Sequence, residues 1–273
     1  MPTVESVSTL TNEQLSHYHD EGYLIVRGLL RPDEIAELQT TFMDLHAKGS
    51  IPGCFTIGTP DEIALDPLKL YPRMMHPHRV SPVAFRYMLH PGMLGILAQL
   101  FGEPPLAAQS MFYWKPPRAR GQALHQDNFY LRVQPGTCIA AWVPVEDTDE
   151  ENGCLFVAPG SHALDIVCPE EADPTVSFTR HYVPVPKGLR EIPVPLKAGD
   201  VLFFGGNLIH GSYPNRSETR FRRSFICHYV GQSSEEIARF YKPLYRASGD
   251  EVLIRDAPTD GGPCGGPEAK GPH

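Results

Sequence analysis

The sequence predicts a mainly β protein with a layer of helices at its N-terminal end, arranged as one domain. Two observations carry this expectation. From Leu106 onward, short apolar segments alternate with Gly, Pro, Asn and Asp turn signals, the pattern of a β-sandwich or barrel. Before Leu106, apolar residues recur at helical spacing between capping signals. The composition agrees: 28 prolines and 24 glycines among 273 residues suit a turn-rich β protein better than a helical one. A chain of this length can bury roughly three-quarters of its unfolded surface in one large domain.

The elements follow in order. Thr11 and Gln14 have capping-box spacing, so a helix is expected over about 12–20, ending near Gly22. "YLIVRGLL" (23–30) is apolar and β-branched and is expected as a strand. Pro32 suits the first turn of a second helix running to about Gly49, with Ile35, Leu38, Phe42 and Leu45 on its buried stripe. Residues 50–80 carry several Pro and Gly and no clear period, which predicts a long loop. A third helical region covers about 82–102, interrupted around Pro91-Gly92. The β core then runs over about 106–231 in seven segments: "LAAQSMFYW", "LHQDNFYLRV", "CIAAWVPVE", "GCLFVAP", "REIPVPL", "DVLFFGG" and "RRSFICHYV". Residues 163–189 form an irregular insertion. The expected domain is 1–254, with its helical layer at about 11–102, and the Gly/Pro-rich stretch 255–273 is expected to be a loosely held tail.

Composition narrows the function. The formal net charge is −8 and no basic block stands out, so nucleic acid is not an expected partner. No apolar run approaches the ~20 residues of a membrane span. The first residues, "MPTVESVSTLTNEQ", have neither the basic start nor the apolar core of a signal peptide, which makes the cytoplasm the default compartment. The six cysteines, at 54, 138, 154, 168, 227 and 264, contain no CxxC pair, so they are expected as reduced thiols rather than as a metal cluster. No sequence feature fixes the oligomeric state.

"LHQDNFY" (124–130) sets two hydrophilic side chains, His125 and Asp127, in an apolar stretch. Along a strand, residues i and i+2 share a face, so the two are expected to project together with Gln126 turned away. A buried carboxylate beside an imidazole needs a positive partner. A divalent metal is one; a plain His–Asp hydrogen bond is the other reading. His210, which ends the apolar "FFGGNLIH", lies 83 residues beyond Asp127. Two imidazoles and one carboxylate cap one face of an octahedron and leave three positions open, the facial triad of non-haem Fe(II) oxygenases. Downstream stand Arg220, Arg222 and Arg223. A chelating 2-oxo acid with a distal carboxylate needs a fixed bidentate cation, which arginine supplies; a surface charge is the alternative. The strand pattern of "RRSFICHYV" places Arg222 on one face with Ser224, and Ser212 can add a hydroxyl.

At this point the sequence resembles the phytanoyl-CoA dioxygenase family of Fe(II)- and 2-oxoglutarate-dependent oxygenases. The resemblance covers roughly 11–231. It is carried by "YHDEGYLIVRGLL", "KPP" (115–117), "LHQD" (124–127), Trp142, "NGCLFVAPGSH" (152–162), "AGDVLFF" (198–204) and "HGSYPNRS" (210–217). It implies a double-stranded β-helix, the cupin-like jelly roll, with iron held by His125, Asp127 and His210. It implies 2-oxoglutarate as cosubstrate, its distal carboxylate on Arg222 with help from Ser212, and Trp142 lining that pocket. The family's arginine usually lies eleven residues after the last histidine, where this chain has Phe221. Arg222 is therefore one residue late, and Arg223 is the second candidate. Arg73 is a candidate for the further basic residue that sometimes assists.

The implied reaction consumes O2 and 2-oxoglutarate and yields succinate and CO2 while a small-molecule substrate is oxidised, most often by hydroxylation. Asp127 argues against a halogenase, because family members that halogenate lack that carboxylate. Asn128, Phe129, Tyr130, Gln109 and Tyr113 are candidates for facing the substrate, and Arg118, Arg120, Arg132, Arg180 and His181 for surrounding the mouth. A non-oxidative cupin-like metalloenzyme and a non-catalytic binding module are the alternative classes.

Overall fold

The computed structural model describes residues 9–258 and Cys264. Its first helix, α1 (Asn12–Glu21), is closed at one end by the Thr11–Gln14 capping box and at the other by Gly22 in the left-handed conformation. Strand β1 (Tyr23–Val26) follows and is shorter than the apolar run predicts. Residues 27–30 leave it in a turn, where Asp200 binds both Arg27 and the Gly28 N–H. Helix α2 (Pro32–Ala47) buries Ile35, Leu38 and Phe42 as its stripe requires.

The expected loop 50–80 has more structure than its lack of period suggests. Thr59 caps a short helix, α3 (Pro60–Leu65), and strand β2 (Met74–Met75) joins a sheet. Two 3-10 turns, Pro67–Lys69 and Pro77–Arg79, fill the remainder. Elements this short leave no sequence period. The third helical region is split, as Pro91-Gly92 predicts, into α4 (Pro82–Met88) and α5 (Pro91–Phe101).

The β region contains β3 (Pro105–Tyr113), β4 (Gln122–His125), the short α6 (Asn128–Leu131), β5 (Ile139–Pro144) and β6 (Leu155–Val157). After it come the hairpin β7 (Glu170–Glu171) and β8 (His181–Tyr182), then β9 (Ile192–Val194), β10 (Val201–Gly205), β11 (His210–Ser212) and β12 (Ser224–Gly231). Four two-residue strands close the order: β13 (Glu236–Ile237), β14 (Leu244–Tyr245), β15 (Glu251–Val252) and β16 (Arg255–Asp256).

The strands form two main antiparallel sheets. The larger runs β1-β10-β5-β12-β3-β14-β15, with β2 added to β3, and the smaller runs β4-β11-β6-β9. Strand alternation sorts the core. Phe112, Ala141, Val143, Phe203, Phe225, Cys227 and Tyr229 pack with the helices on one face of the large sheet. Met111, Tyr113, Trp142, Leu202, Phe204 and Ile226 point the other way and meet Leu155, Val157 and Val194 of the small sheet. This is the cupin-like jelly roll of the 2-oxoglutarate oxygenases, with its N-terminal helices layered on the outside of the large sheet.

Two expectations need correction. Cys168 and Cys264 are joined in a disulfide across 96 residues of sequence, whereas Cys54, Cys138, Cys154 and Cys227 are free and buried. Sequence spacing cannot show a pairing made by distant loops. The tail is also anchored where it begins: Arg255–Asp256 pairs in parallel with Glu236–Ile237, and Ala257 is buried. Residues 259–263 and 265–273 of that stretch lie outside the described residues. Among the described residues, no helix is long and apolar enough to cross a membrane.

Candidate metal centre and cosubstrate pocket

His125, Asp127 and His210 converge between the sheets, each buried, with one donor atom apiece inside a 4.8 Å cluster. His125 ends β4, His210 begins β11, and the two residues are register partners. Gly211 makes that approach possible, because a Cβ there would sit 2.8 Å from both the Gln122 carbonyl oxygen and the Phe156 ring. Asp127 arrives differently from expectation. Strand β4 stops at His125, and Asp127 has helical backbone angles (φ −63, ψ −37) at the start of α6. A turn, not the pleat of one strand, brings its carboxylate beside the imidazole. Gln126 points elsewhere and ties loops together: its amide donates to Asn207 O (2.8 Å) and accepts from Val167 N–H (2.7 Å).

Backbone carbonyls fix the tautomers. His125 Nδ1 lies 2.9 Å from Ala123 O and His210 Nδ1 3.0 Å from Leu208 O. A carbonyl only accepts, so each Nδ1 donates to it and Nε2 is the atom that can ligate a metal. Both Nε2 atoms face Asp127 Oδ1, at 3.4 and 3.7 Å. The other carboxylate oxygen, Oδ2, accepts from His228 Nε2 at 2.9 Å. Three electron-pair donors thus face one another in a buried space. Burial and the neighbouring His125 hold His210 down to about 4, so at neutral pH it supplies no proton of its own to relieve the crowding. Two imidazoles and a carboxylate, each offering one donor atom inside the cluster, fit a divalent metal ion.

His228 has no role in the sequence reading, although its signal is present in "RRSFICHYV". Counting by two from Ser224 through Ile226 reaches His228 on the inner face. Orienting partners of this kind typically carry about 10–100-fold in metal affinity. His228→Leu is therefore expected to weaken Fe(II) binding within that range while leaving all three donor residues in place, measurable by competition with a chromophoric chelator. Unchanged affinity would show that Asp127 is positioned without it.

A narrow pocket runs from this cluster to Arg222, lined also by Met111, Tyr113, Gln122 and Trp142. Arg222 is 2 % exposed and has no carboxylate partner among the described residues. Its guanidinium donates to Gly153 O (3.1 Å), Ser224 Oγ (2.9 Å) and Ser212 Oγ (3.5 Å), and it lies 5.5 Å from the centre of the Trp142 ring. Burial lowers its pKa to about 10, so it remains a cation at neutral pH. Arg223, one residue on, is held by Glu146 through a bidentate pair (Nη2 to Oε2 2.6 Å, Nε to Oε1 3.2 Å) and lies over Phe221. Of the two arginines, only Arg222 is turned into the cavity.

Lys115, the lysine of "KPP", is the second residue the sequence leaves without a role. It is 1 % exposed, and its ammonium donates to Ser212 Oγ at 2.7 Å and to Tyr213 O. Burial, with Arg222 nearby, pushes its pKa well down. Arg73 reaches the hydroxyl of the cavity-lining Tyr113 (3.5 Å) and lies over Phe178. Two arginines expected around the mouth are neutralised instead, Arg118 by Glu218 and Arg120 by Asp66. Asn128 serves the local backbone, accepting from Val133 N–H at 2.9 Å. The Tyr130 hydroxyl meets His181 at 2.9 Å, and Phe129 packs edge-on to both.

Residues 18–224 match the family described as phytanoyl-CoA dioxygenase (PhyH). The chain belongs to that family. A probable phytanoyl-CoA dioxygenase of Caenorhabditis elegans is 29 % identical over 249 residues, covering 85 % of this chain and 78 % of the relative. Among solved structures, the epimerase SnoN of nogalamycin biosynthesis, in complex with Fe3+, alpha ketoglutarate and nogalamycin RO, superposes with a TM-score of 0.64 at 24 % identity, covering 85 % of each chain. The carbocyclase SnoK of the same biosynthesis gives 0.65 at 22 %, covering 83 % of this chain and 86 % of its own. As a phytanoyl-CoA dioxygenase family member with this donor set, the protein is a 2-oxoglutarate-dependent non-haem iron dioxygenase.

Three buried histidines link this region to pH. His76 and His78 are pushed down to about 2 and about 3, chiefly by burial, and His210 to about 4, all from an ordinary 6.5. Between those values and 6.5 the unfolded chain binds protons that the native state refuses. Stability of the metal-free protein therefore falls as pH drops below 6.5, each histidine contributing a slope approaching about 1.4 kcal/mol per pH unit. Equilibrium unfolding in urea at pH 7, 6 and 5 measures it; a flat profile would mean that these imidazoles are protonated in the native state.

Proposed function

We propose that His125, Asp127 and His210 hold Fe(II), and that 2-oxoglutarate spans the cavity from the metal to Arg222 and Ser212. The observation that carries this reading is the pairing of the cavity's two ends. One end offers three metal-donor atoms, and the other a buried guanidinium without an anion. A molecule that chelates through its 2-oxo acid end and carries a carboxylate at the other satisfies both. Bound there, iron with 2-oxoglutarate and O2 supplies an oxidant able to take hydrogen from a C–H bond, with succinate and CO2 as coproducts.

The chain's own residues do the positioning. Ser212 Oγ accepts from Lys115 and Arg222, so its own proton is left to donate to the distal carboxylate. Trp142 and Tyr113 wall the carbon chain and hold Arg222 between aromatic faces. Asp127 fills the coordination position that a halide would need, which favours hydroxylation over halogenation. The prime substrate in this reading is a small metabolite or natural-product intermediate.

Lys115 provides an internal check. Lys115→Met is expected to raise the KM for 2-oxoglutarate by about tenfold, the worth of one buried hydrogen bond. The double variant with Ser212→Ala should be little worse than Ser212→Ala alone, since both act through one hydroxyl. Full additivity would separate the two residues. The reading as a whole is tested by succinate formation requiring both Fe(II) and 2-oxoglutarate. Anaerobic addition of the two should give a visible charge-transfer band. Binding of metal without such a band points to the non-oxidative cupin-like class, and binding without succinate to a non-catalytic module.

A further inference from the structure

Beside His228, on the side of the metal cluster away from Arg222, lies a second group of buried polar side chains that the reaction described above does not use. Gln109, His76 and Tyr241 are 0 %, 1 % and 1 % exposed. Both amide atoms of Gln109, both ring nitrogens of His76 and the Tyr241 hydroxyl have no hydrogen-bond partner among the described residues. Buried polar atoms are satisfied in the great majority of cases, and several orphans in one place mark a site that something else completes.

Their placement is specific. On β3, Gln109 shares the face of Met111 and Tyr113, which line the cavity. It is the register partner of His228, whose Nε2 holds Asp127. His76 follows β2, and its backbone N–H bonds Ser110 O at 2.9 Å, setting it alongside Gln109. The left-handed backbone at His76 (φ 50) is one that a side chain of this size rarely adopts. Its ring lies 6.4 Å from that of Tyr241 and 4.6 Å from the partly exposed Phe240. The three therefore form one group, with Gln109 beside the His228 that holds Asp127. Ser224 and His228 are four residues apart on β12, about 13 Å of strand, so this group does not compete for the cosubstrate's distal carboxylate.

The donor and acceptor inventory selects the ligand. A neutral imidazole gives one donor and one acceptor, the amide gives two donors and an acceptor, and the phenol gives one of each. A hydrocarbon chain would leave every one of them unpaired. A carboxylate could use only the donors, and an ammonium only the acceptors. Resting on the metal-centre reading, we propose that Gln109, His76 and Tyr241 bind the prime substrate through an uncharged group that both donates and accepts hydrogen bonds. A hydroxyl-bearing ring, a lactam or an amide has that chemistry. Anchored there, its reacting carbon is held beside the metal.

The test uses the full chain loaded with Mn(II) and 2-oxoglutarate, which holds the site without turnover. Two probes are compared by paramagnetic relaxation of their protons: 2-pyrrolidinone, a neutral lactam, and sodium hexanoate, an anion with an apolar chain. In the wild type, 2-pyrrolidinone is expected to be strongly relaxed and hexanoate weakly. Gln109→Leu should lower 2-pyrrolidinone affinity at least about tenfold, as loss of a buried hydrogen-bonding group does, with Mn(II) content unchanged. The same substitution should raise the unfolding temperature of the metal-free protein, since it removes an unpaired buried amide. Should Gln109→Leu fail to fold, Tyr241→Phe removes a single hydroxyl and carries the same expectations. Equal relaxation of both probes, an unchanged 2-pyrrolidinone response, or a lowered unfolding temperature overturns the proposal. Mn(II) bound with no relaxation of 2-pyrrolidinone overturns it while leaving the metal centre standing. Failure to bind Mn(II) overturns the metal-centre reading and this proposal with it.

Discussion

His210→Ala is expected to abolish iron retention and succinate formation together. Removing an orienting residue typically costs about 10–100-fold in metal affinity, and losing one of three protein donors costs more than that. The loss is not repaired locally. The His210 ring is buried against Phe204 and His125, with Leu208 O fixing its tautomer, so alanine leaves neither a donor nor a path for another side chain to take its place. Iron stoichiometry after gel filtration and 2-oxoglutarate-dependent O2 uptake measure the two effects. Removal of buried bulk also lowers stability, so folding is confirmed by circular dichroism. A folded His210→Ala protein with normal iron content and turnover would overturn the assignment of all three donors, because Asp127 and His125 alone cannot define the site.

Arg222→Ala is expected to weaken 2-oxoglutarate binding by about 30-fold to several thousandfold, the equivalent of roughly 2–5 kcal/mol for removing the charged partner of a buried carboxylate. Iron binding should survive, because Arg222 touches none of the three donors. Arg223→Ala supplies the contrast. Arg223 is bound to Glu146, and its loss should change stability modestly without altering the KM for 2-oxoglutarate. Lysine at 222 should rescue only in part, since an ammonium cannot reproduce two parallel donors. A larger loss from Arg223→Ala than from Arg222→Ala would shift the carboxylate site by one residue.

Much of the fold was legible because its signals are local. The capping box at Thr11, the stripe on α2 and the break at Pro91-Gly92 depend only on nearby residues, and each stands within a residue or two of its expected place. The stretch 50–80 was illegible because its elements are too short to show a period. The strand expected to run through "LHQDNFYLRV" was misread for a different reason. Its residues suit either a strand or a helix, and the chain turns at Gln126 because its amide is claimed by Asn207 and Val167, 81 and 41 residues away.

The site divides along the same line. The sequence by itself determined which side chains are available: two histidines, an aspartate, an arginine cluster and a tryptophan, in an order that resembles one family. It also determined that they would meet in a β-rich core, because alternating apolar strands must bury one face. Only the tertiary structure decided how they meet. It brings Asp127 in by a turn rather than along a strand, and turns Arg222 inward while Glu146 takes Arg223. It sets Lys115 behind Ser212 and His228 behind Asp127, and it links Cys168 to Cys264. The last of these are contacts between residues far apart in the chain, and the turn at Asp127 is itself held by such contacts of Gln126. Local preference fixes the period of a strand but not the neighbour across the sheet; packing and the pairing of buried charges do that.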